Sequence, residues 1–450
     1  MSYFDVAAGI NQTGLNSTLT GFFASPIAQS KIFNGNVTQD IAPLGDVDLV
    51  YQVIDCPEIN LAPPSQADWD ASFKASEVTT LPSSNVLVLT LSQVAAQITY
   101  NQVPPLKAQG LIKGYASFEL KDNVLSIKPL AVWIDESEFS GFDKVVVNGI
   151  LIPQILKVIT STLASIPLPQ LPDLGQQSFQ PPIAGIIDSC ALVIATVLGD
   201  TPAVDLNGYD NPSQDTYLRT NLRMVNNLLV SYVKGKSAKA EDQTGSDAWN
   251  AAGSIGATVD SISAGINGST LQVSVSLGDI SGYGELGGTG VGVTKAILCP
   301  IGAAADAIAN PSDWDKVVSN FSISYKPDPL AVGISLKAQT KDKQQKLQVS
   351  VGDLDSVQVI ASPKWSGSVT GTILATAAAG FVNMLSSIFS TLVTNKLLGD
   401  YAQGIDIYTI PEISTSVEGI SVQLTIADGS VATPYGVSEL IQSFSVQFPK

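Results

Sequence analysis

Catalysis and metal binding need side chains that trade protons, attack or coordinate, and this chain has few of them. There is no His among its 450 residues. That excludes a His general base, a Ser-His or Cys-His couple and any His-ligated metal. Cys56, Cys190 and Cys299 lie far apart in sequence, a spacing that makes neither a zinc site nor a disulfide framework. Arg219 and Arg223 are the only arginines, so few planar forks exist to grip phosphate or carboxylate.

The remaining motifs are formal. Gly282-Tyr283-Gly284-Glu285-Leu286-Gly287 matches a dinucleotide-binding pattern and follows a predicted strand. No acidic strand end follows at the required distance and Pro300 interrupts any helix, so it reads as a glycine-rich loop. Ser231 to Lys234 spells S-x-x-K without its partner motifs and reads as a helix end. A nucleophile elbow, a P-loop and a D-x-D-x-D-G calcium loop are all missing from the sequence. The pairs Asp68/Asp70 and Asp313/Asp315 have the chemistry of an acid–base couple. Ser312 before Asp313 reads instead as an N-cap with acids in a first turn. Trp69 and Trp314 read as core anchors.

With chemistry sparse, the elements carry the argument. Ile112, Gly114, Ala116, Phe118 and Leu120 alternate with polar residues, and Val124–Ile134 runs back after a Lys-Asp-Asn turn, which predicts a hairpin. Ile255–Ile266 and Leu271–Leu277 flank Asn267-Gly268 in the same way. Val332–Ala338 is expected to pair with Leu347–Val351, and Ile420–Ile426 and Phe444–Phe448 alternate as well. One apolar and one polar face per strand predicts antiparallel sheets covered on one side. Helices are predicted near Leu15–Phe23 (ending before Pro26), over 152–166 (Ile152, Ile155, Ile159, Leu163), over Ile183–Leu198, over 217–233 and over 381–398 (Phe381, Leu385, Ile388, Phe389). The polar stretch Lys234–Asp247 reads as a domain boundary or long surface loop.

The halves look related. Pro64-Ser65 before Asp68-Trp69-Asp70 returns as Pro311-Ser312 before Asp313-Trp314-Asp315, and Ile166-Pro167 and Ile410-Pro411 each follow an amphipathic helix. Two modules are expected, residues 1–235 and 236–450, with the last strands returning to the first module as a variant.

Hydrophobic residues make up 45% of the chain and charged residues 14%, and the net charge is −17. With a pI near 4.3 and a mean hydropathy of +0.24, the chain is expected to fold, to stay soluble and to repel nucleic acid. No signal peptide is visible, which predicts a cytoplasmic protein or one released by a non-standard route. The sequons at Asn11, Asn16, Asn36, Asn267 and Asn320 are read as chance. The uncharged run Trp365–Asn395 is long enough to span a bilayer, but its opposed polar face favours a packed helix.

A long helix lying in a strongly curved antiparallel sheet, twice over, resembles the TULIP superfamily of tubular lipid-binding proteins, among which BPI-like proteins are counted. The segments Phe4–Leu19 and Lys31–Thr38 resemble the opening of one branch, the OrfX and forty-seven-kilodalton proteins encoded beside clostridial neurotoxins, with relatives in insecticidal clusters. The resemblance implies an α+β, mainly antiparallel β fold of two tubular modules. It also implies a lipid or other apolar ligand, no enzymatic chemistry and no obligatory cofactor. A protein partner in a toxin complex and peripheral membrane contact are further implications. The absence of His, the scarcity of Arg and the acidity speak against phosphoinositide headgroups.

The expected function is non-catalytic binding of an apolar molecule by Ile155, Ile159, Leu163, Phe381, Leu385, Ile388 and Phe389. A structural protein with filled cores acting through protein partners, a membrane-inserting toxin and, last, a two-carboxylate hydrolase are the alternatives.

Overall fold

The computed structural model describes residues 2–41, 44–75, 78–100, 104–135, 147–153, 155, 166–167, 171, 173, 177–199, 202–246, 249–287, 317–341, 344–354, 358–363, 387–389, 391–397, 405–410, 413–417 and 420–448. The alternation of apolar and polar side chains becomes antiparallel strands almost throughout. They assemble into a six-stranded seam sheet, two eight-stranded curled sheets and a three-stranded sheet near the C-terminus.

The first curled sheet runs in the order Asn34–Ile41, Gly45–Val53, Val86–Tyr100, Leu106–Lys121, Val124–Ile134, Phe73–Lys74. The second runs Ser237–Ser246, Trp249–Asn267, Thr270–Gly287, Leu330–Lys341, Gln344–Leu354, Ile405–Ile410. Register slips between Leu91 and Val94, Tyr115 and Ala116, Gly256 and Thr258, and Val259 and Ser261 mark bulges. An extra residue on one strand bends it and increases its twist, which is how such sheets curl. The predicted hairpins are all present: Lys121 pairs with Val124, Asn267 with Thr270 and Ala338 with Leu347.

Corrections fall where hydrophobicity misled. Ile183–Leu198 is not a helix. It is a hairpin of Ile183–Ile187 and Ala191–Thr196, turned at Asp188-Ser189 with positive φ. An apolar run of that length suits a strand buried on both faces as well as a helix. Lys234–Asp247 is no linker, because Ser237–Ser246 pairs along its length with Trp249–Thr258. Over its described side chains the inward residues are Ala238 and Ala240, with Ala240 buried between exposed Lys239 and Glu241, so its period of two is faint in hydropathy. The glycine-rich segment is strand rather than loop, with Gly282 opposite both Ile255 and Phe321. Within 217–233 the helix begins only at Leu222, after the strand Thr216–Asn221. Ser65 caps the turn Gln66–Asp70, and Trp69 is buried above Tyr115. Trp314, the Asp313/Asp315 pair and most of Trp365–Asn395 lie outside the described residues. Among the described residues, no helix is long and apolar enough to cross a membrane, which says nothing of a β-barrel.

The seam sheet shows the internal repeat most clearly. Its order is Ile183–Ile187, Ala191–Thr196, Val6–Asn11, Thr216–Asn221, Glu439–Gln442, Thr433–Tyr435. Adding 210 to Val6–Asn11 gives Thr216–Asn221, and these strands pair antiparallel with Ala8 opposite Leu218. A local two-fold axis therefore passes between two equivalent residues. Adding 248 carries the pair Gly185–Val193 onto Thr433–Ile441. The same two shifts carry Ala8–Ile194 onto Leu218–Gln442. In the curled sheets, adding 220 carries Lys121–Val124 onto Lys341–Gln344. Ile166 sits opposite Leu125, and Ile410 opposite Gln345, the residue 220 further on. The two Ile-Pro segments that suggested duplication therefore start from equivalent register positions.

Candidate apolar binding site

The seam strands Val6–Asn11 and Thr216–Asn221 each end in an asparagine and run into a twelve-residue helix, Gln12–Phe23 and Leu222–Val233. Asn11 accepts from the Gly14 N–H at 2.7 Å, and Asn221 from the Arg223 N–H at 2.9 Å. These caps satisfy donors that a helix start leaves open. One turn on, Asn16 donates to the Ile59 carbonyl at 3.0 Å and accepts from the Ile59 N–H at 2.7 Å. Its counterpart 210 residues later, Asn226, bonds the N–H and carbonyl of Ala264 in the same way. A side-chain amide thus stands in for a neighbouring strand at both places and ties each helix to its curled sheet.

The interiors differ in what fills them. Around Leu222–Val233 the core contains Leu222, Met224, Val225, Leu228, Leu229 and Val233, with Ile255, Val273 and Val275 from the sheet. Ile388, Phe389, Leu392, Val393 and Leu397 close it, none more than 2% exposed. Phe389 lies 5.4 Å from Tyr325. The Tyr325 hydroxyl donates to Asp328 and accepts from the Leu277 N–H, and burial pushes its pKa up to about 12. Around Gln12–Phe23 the helix contributes only Gly14, Leu19 and Phe22 as buried residues. Phe33, Val47, Leu49, Ile98, Ile112, Ile150 and Leu151 are among the residues from other elements that fill that core.

Of the predicted lining residues, Ile155 is buried in the first core, and Ile388 and Phe389 in the second. The structure therefore divides them between two interiors. Ile159, Leu163, Phe381 and Leu385 lie outside the described residues, as does most of the helix expected over 152–166, whereas residues 387–389 and 391–397 of the helix expected over 381–398 are described and helical. The sequence argument predicted both twelve-residue helices but did not place them in the interiors. The missed signal is the repeated strand–Asn–helix unit, with a second Asn five residues after the first.

The seam sheet lies beneath both cores. Ile186, Leu192 and Ile194 pack on the first, and Leu440 and Val6 on the second. Its other face takes both arginines. Arg219, 3% exposed, stands 4.4–5.1 Å from the rings of Phe4, Tyr209 and Tyr435. It donates to Glu439 at 2.6 Å and to the Asp210 carbonyl. Burial pushes Tyr435 up to about 12, helped by its hydrogen bond to Asp210. Arg223 pairs with fully buried Asp5 at 2.7 and 2.9 Å and stacks on Tyr3. Burial raises the Asp5 pKa, opposed by the Leu198 N–H that the carboxylate accepts. Both arginines are thus spent on ties within the protein, Arg219 buried and Arg223 partly exposed, and each holds together segments some 200 residues apart in sequence. The acidic pair is divided as well: Asp68 faces Lys113 at 3.5 Å, while Asp70 accepts from Gln66. Among the described residues, no three Cys, Asp or Glu side chains gather as a metal site.

No family model and no curated protein matches the chain. Among solved structures, the crystal structure of lipopolysaccharide binding protein is similar over 99% of this chain and 99% of its own, at 13% identity and a TM-score of 0.39. P47 from Clostridium botulinum A2 is similar over 98% of this chain and 97% of its own, at 12% identity and a TM-score of 0.38. P47 of Clostridium botulinum E1 covers 99% of this chain and 100% of its own, at 9% identity and a TM-score of 0.35. The lipopolysaccharide binding protein is BPI-like, and the P47 proteins belong to the toxin-cluster branch that the opening segment resembles.

Proposed function

We propose that the protein is a non-catalytic carrier that holds an acyl chain or a similar apolar molecule inside its curled sheets. One observation carries this reading. Each curled sheet turns an apolar face onto a helix, and that helix is tied to the sheet by a two-way asparagine clamp. Such an interior is lined by apolar side chains, as a site for an apolar ligand needs to be. Each buried CH₂ of a ligand contributes about 0.8 kcal/mol there. Work alongside a protein toxin, as the sequence resemblance implies, would add a protein partner to this picture.

A second reading has its own support. Ile388, Phe389, Leu392 and Val393 are almost wholly buried by the protein's own side chains, which favours a filled second core and action through a protein partner. Native mass spectrometry with organic extraction of the same sample separates the two. Acyl species at near-stoichiometric amounts are the expected result. Ile155→Asp is expected to release them more than Ile388→Asp does, with circular dichroism confirming that both variants fold. An unliganded mass, with no uptake from phosphatidylcholine vesicles, overturns the carrier and leaves the filled-core reading.

A further inference from the structure

The carrier reading requires a way into the first interior, and the strand Phe444–Gln447 leads into Phe448, which packs against the first core and is only partly buried. That strand runs beside Ile420–Ile426 through four residue pairs, from Gln423–Gln447 to Ile426–Phe444. It reaches the first half through a few contacts. Thr216 donates its hydroxyl proton to the Phe444 carbonyl. The Phe448 ring lies 5.8 Å from Phe22, which in turn meets Phe33 edge-on at 6.0 Å. Phe448 therefore ends a row of three rings leading into the first core.

The helix makes room for that ring by carrying no side chain at Gly21. A Cβ there would stand 3.1 Å from the Phe448 ring. Phe448 is only partly buried, and its strand is short, so the contact belongs to the least protected part of the packing. Phe22, beneath it, is 5% exposed and would line whatever replaced the ring.

We propose that Phe448 is a displaceable plug. The strand Phe444–Gln447 lifts its last ring off Gly21 and Phe22, and an acyl chain takes the ring's place on the row Phe22–Phe33. The plug rests on the carrier reading, and its test separates the two. Uptake of a fluorescent fatty acid from phosphatidylcholine vesicles is followed by stopped flow for the intact chain, Phe448→Ala, Gly21→Ala and, as a remote control, Val437→Ser (Val437 is 88% exposed).

Removing a phenyl group from an apolar contact is expected to speed uptake by about tenfold. Gly21→Ala is expected to act in the same direction, because its methyl pushes the ring away. That substitution also raises helix propensity, so the melting temperature should not fall. Faster uptake without loss of stability is a result that a merely structural Gly21 would not give. Uptake only by the two variants also supports the plug. Uptake at one rate by all four chains overturns the plug and keeps the carrier, and no uptake by any of them overturns both.

Discussion

Gln12–Phe23 and Leu222–Val233 have the same length, follow the same kind of strand and use the same cap and clamp, yet one buries three residues and the other six. Thr18 stands where the second helix has Leu228, and Gly14 where it has Met224. Backbone placement was thus kept while filling diverged. The polar groups fix where a helix sits, because an unmet buried N–H or C=O is costly. Apolar volume is freer to vary, provided that something else fills the space. In the first half part of that filling comes from elsewhere in the chain, including Phe448.

The seam repeats the lesson. Arg219 and its partner Glu439 correspond by the 210 and 248 shifts to Gly9 and Ala191. Gly9 is needed for its own reason: a Cβ there would lie 2.1 Å from the Tyr217 ring. One side of the axis is therefore closed by an ion pair in an aromatic cage, and the other by a ring against bare backbone.

The largest expected effect tests that asymmetry. Arg219→Ala leaves Glu439 and the Asp210 carbonyl unpaired, and is expected to cost about 3–5 kcal/mol in urea unfolding. A loss below about 1 kcal/mol would mean that the cage holds nothing together. Next come the helices. Leu228→Ala is expected to cost about 2–5 kcal/mol, while its counterpart Thr18→Ala stays within about 0.5 kcal/mol. Equal losses would show that the two interiors are filled alike. The smallest expected difference tests the likeness itself. Asn16→Ala and Asn226→Ala are each expected to cost about 1–3 kcal/mol, in similar amounts, since each frees one N–H and one carbonyl. A clear difference between them would break the equivalence of the two clamps.

Much of this was legible in sequence. Where the inward row holds large residues, as with Ile112, Phe118 and Leu120 or Leu271, Val273 and Val275, period-two alternation marks the strands and a polar turn marks the hairpin. The signal fails where inward residues are alanines, as in Ser237–Ser246, and where both faces are buried, as in Ala191–Thr196. The candidate site was legible only in kind. An apolar helix face announces burial, and Ile155 and Ile388, read on two different helices, are buried in two separate cores, but it does not announce which other segments close each core.

By itself the sequence determined a mainly antiparallel β chain without His chemistry, because composition and local periodicity act over a few residues at a time. The tertiary structure decided what depends on distant segments meeting. Asn16 and Asn226 became clamps instead of sequon or surface amides, Arg219 and Arg223 became internal ties, and Phe448 came to rest on Gly21. Each of those outcomes joins residues from about 40 to more than 400 positions apart. Only the folded chain brings such partners within reach of a hydrogen bond or a ring contact, whose range is a few ångströms.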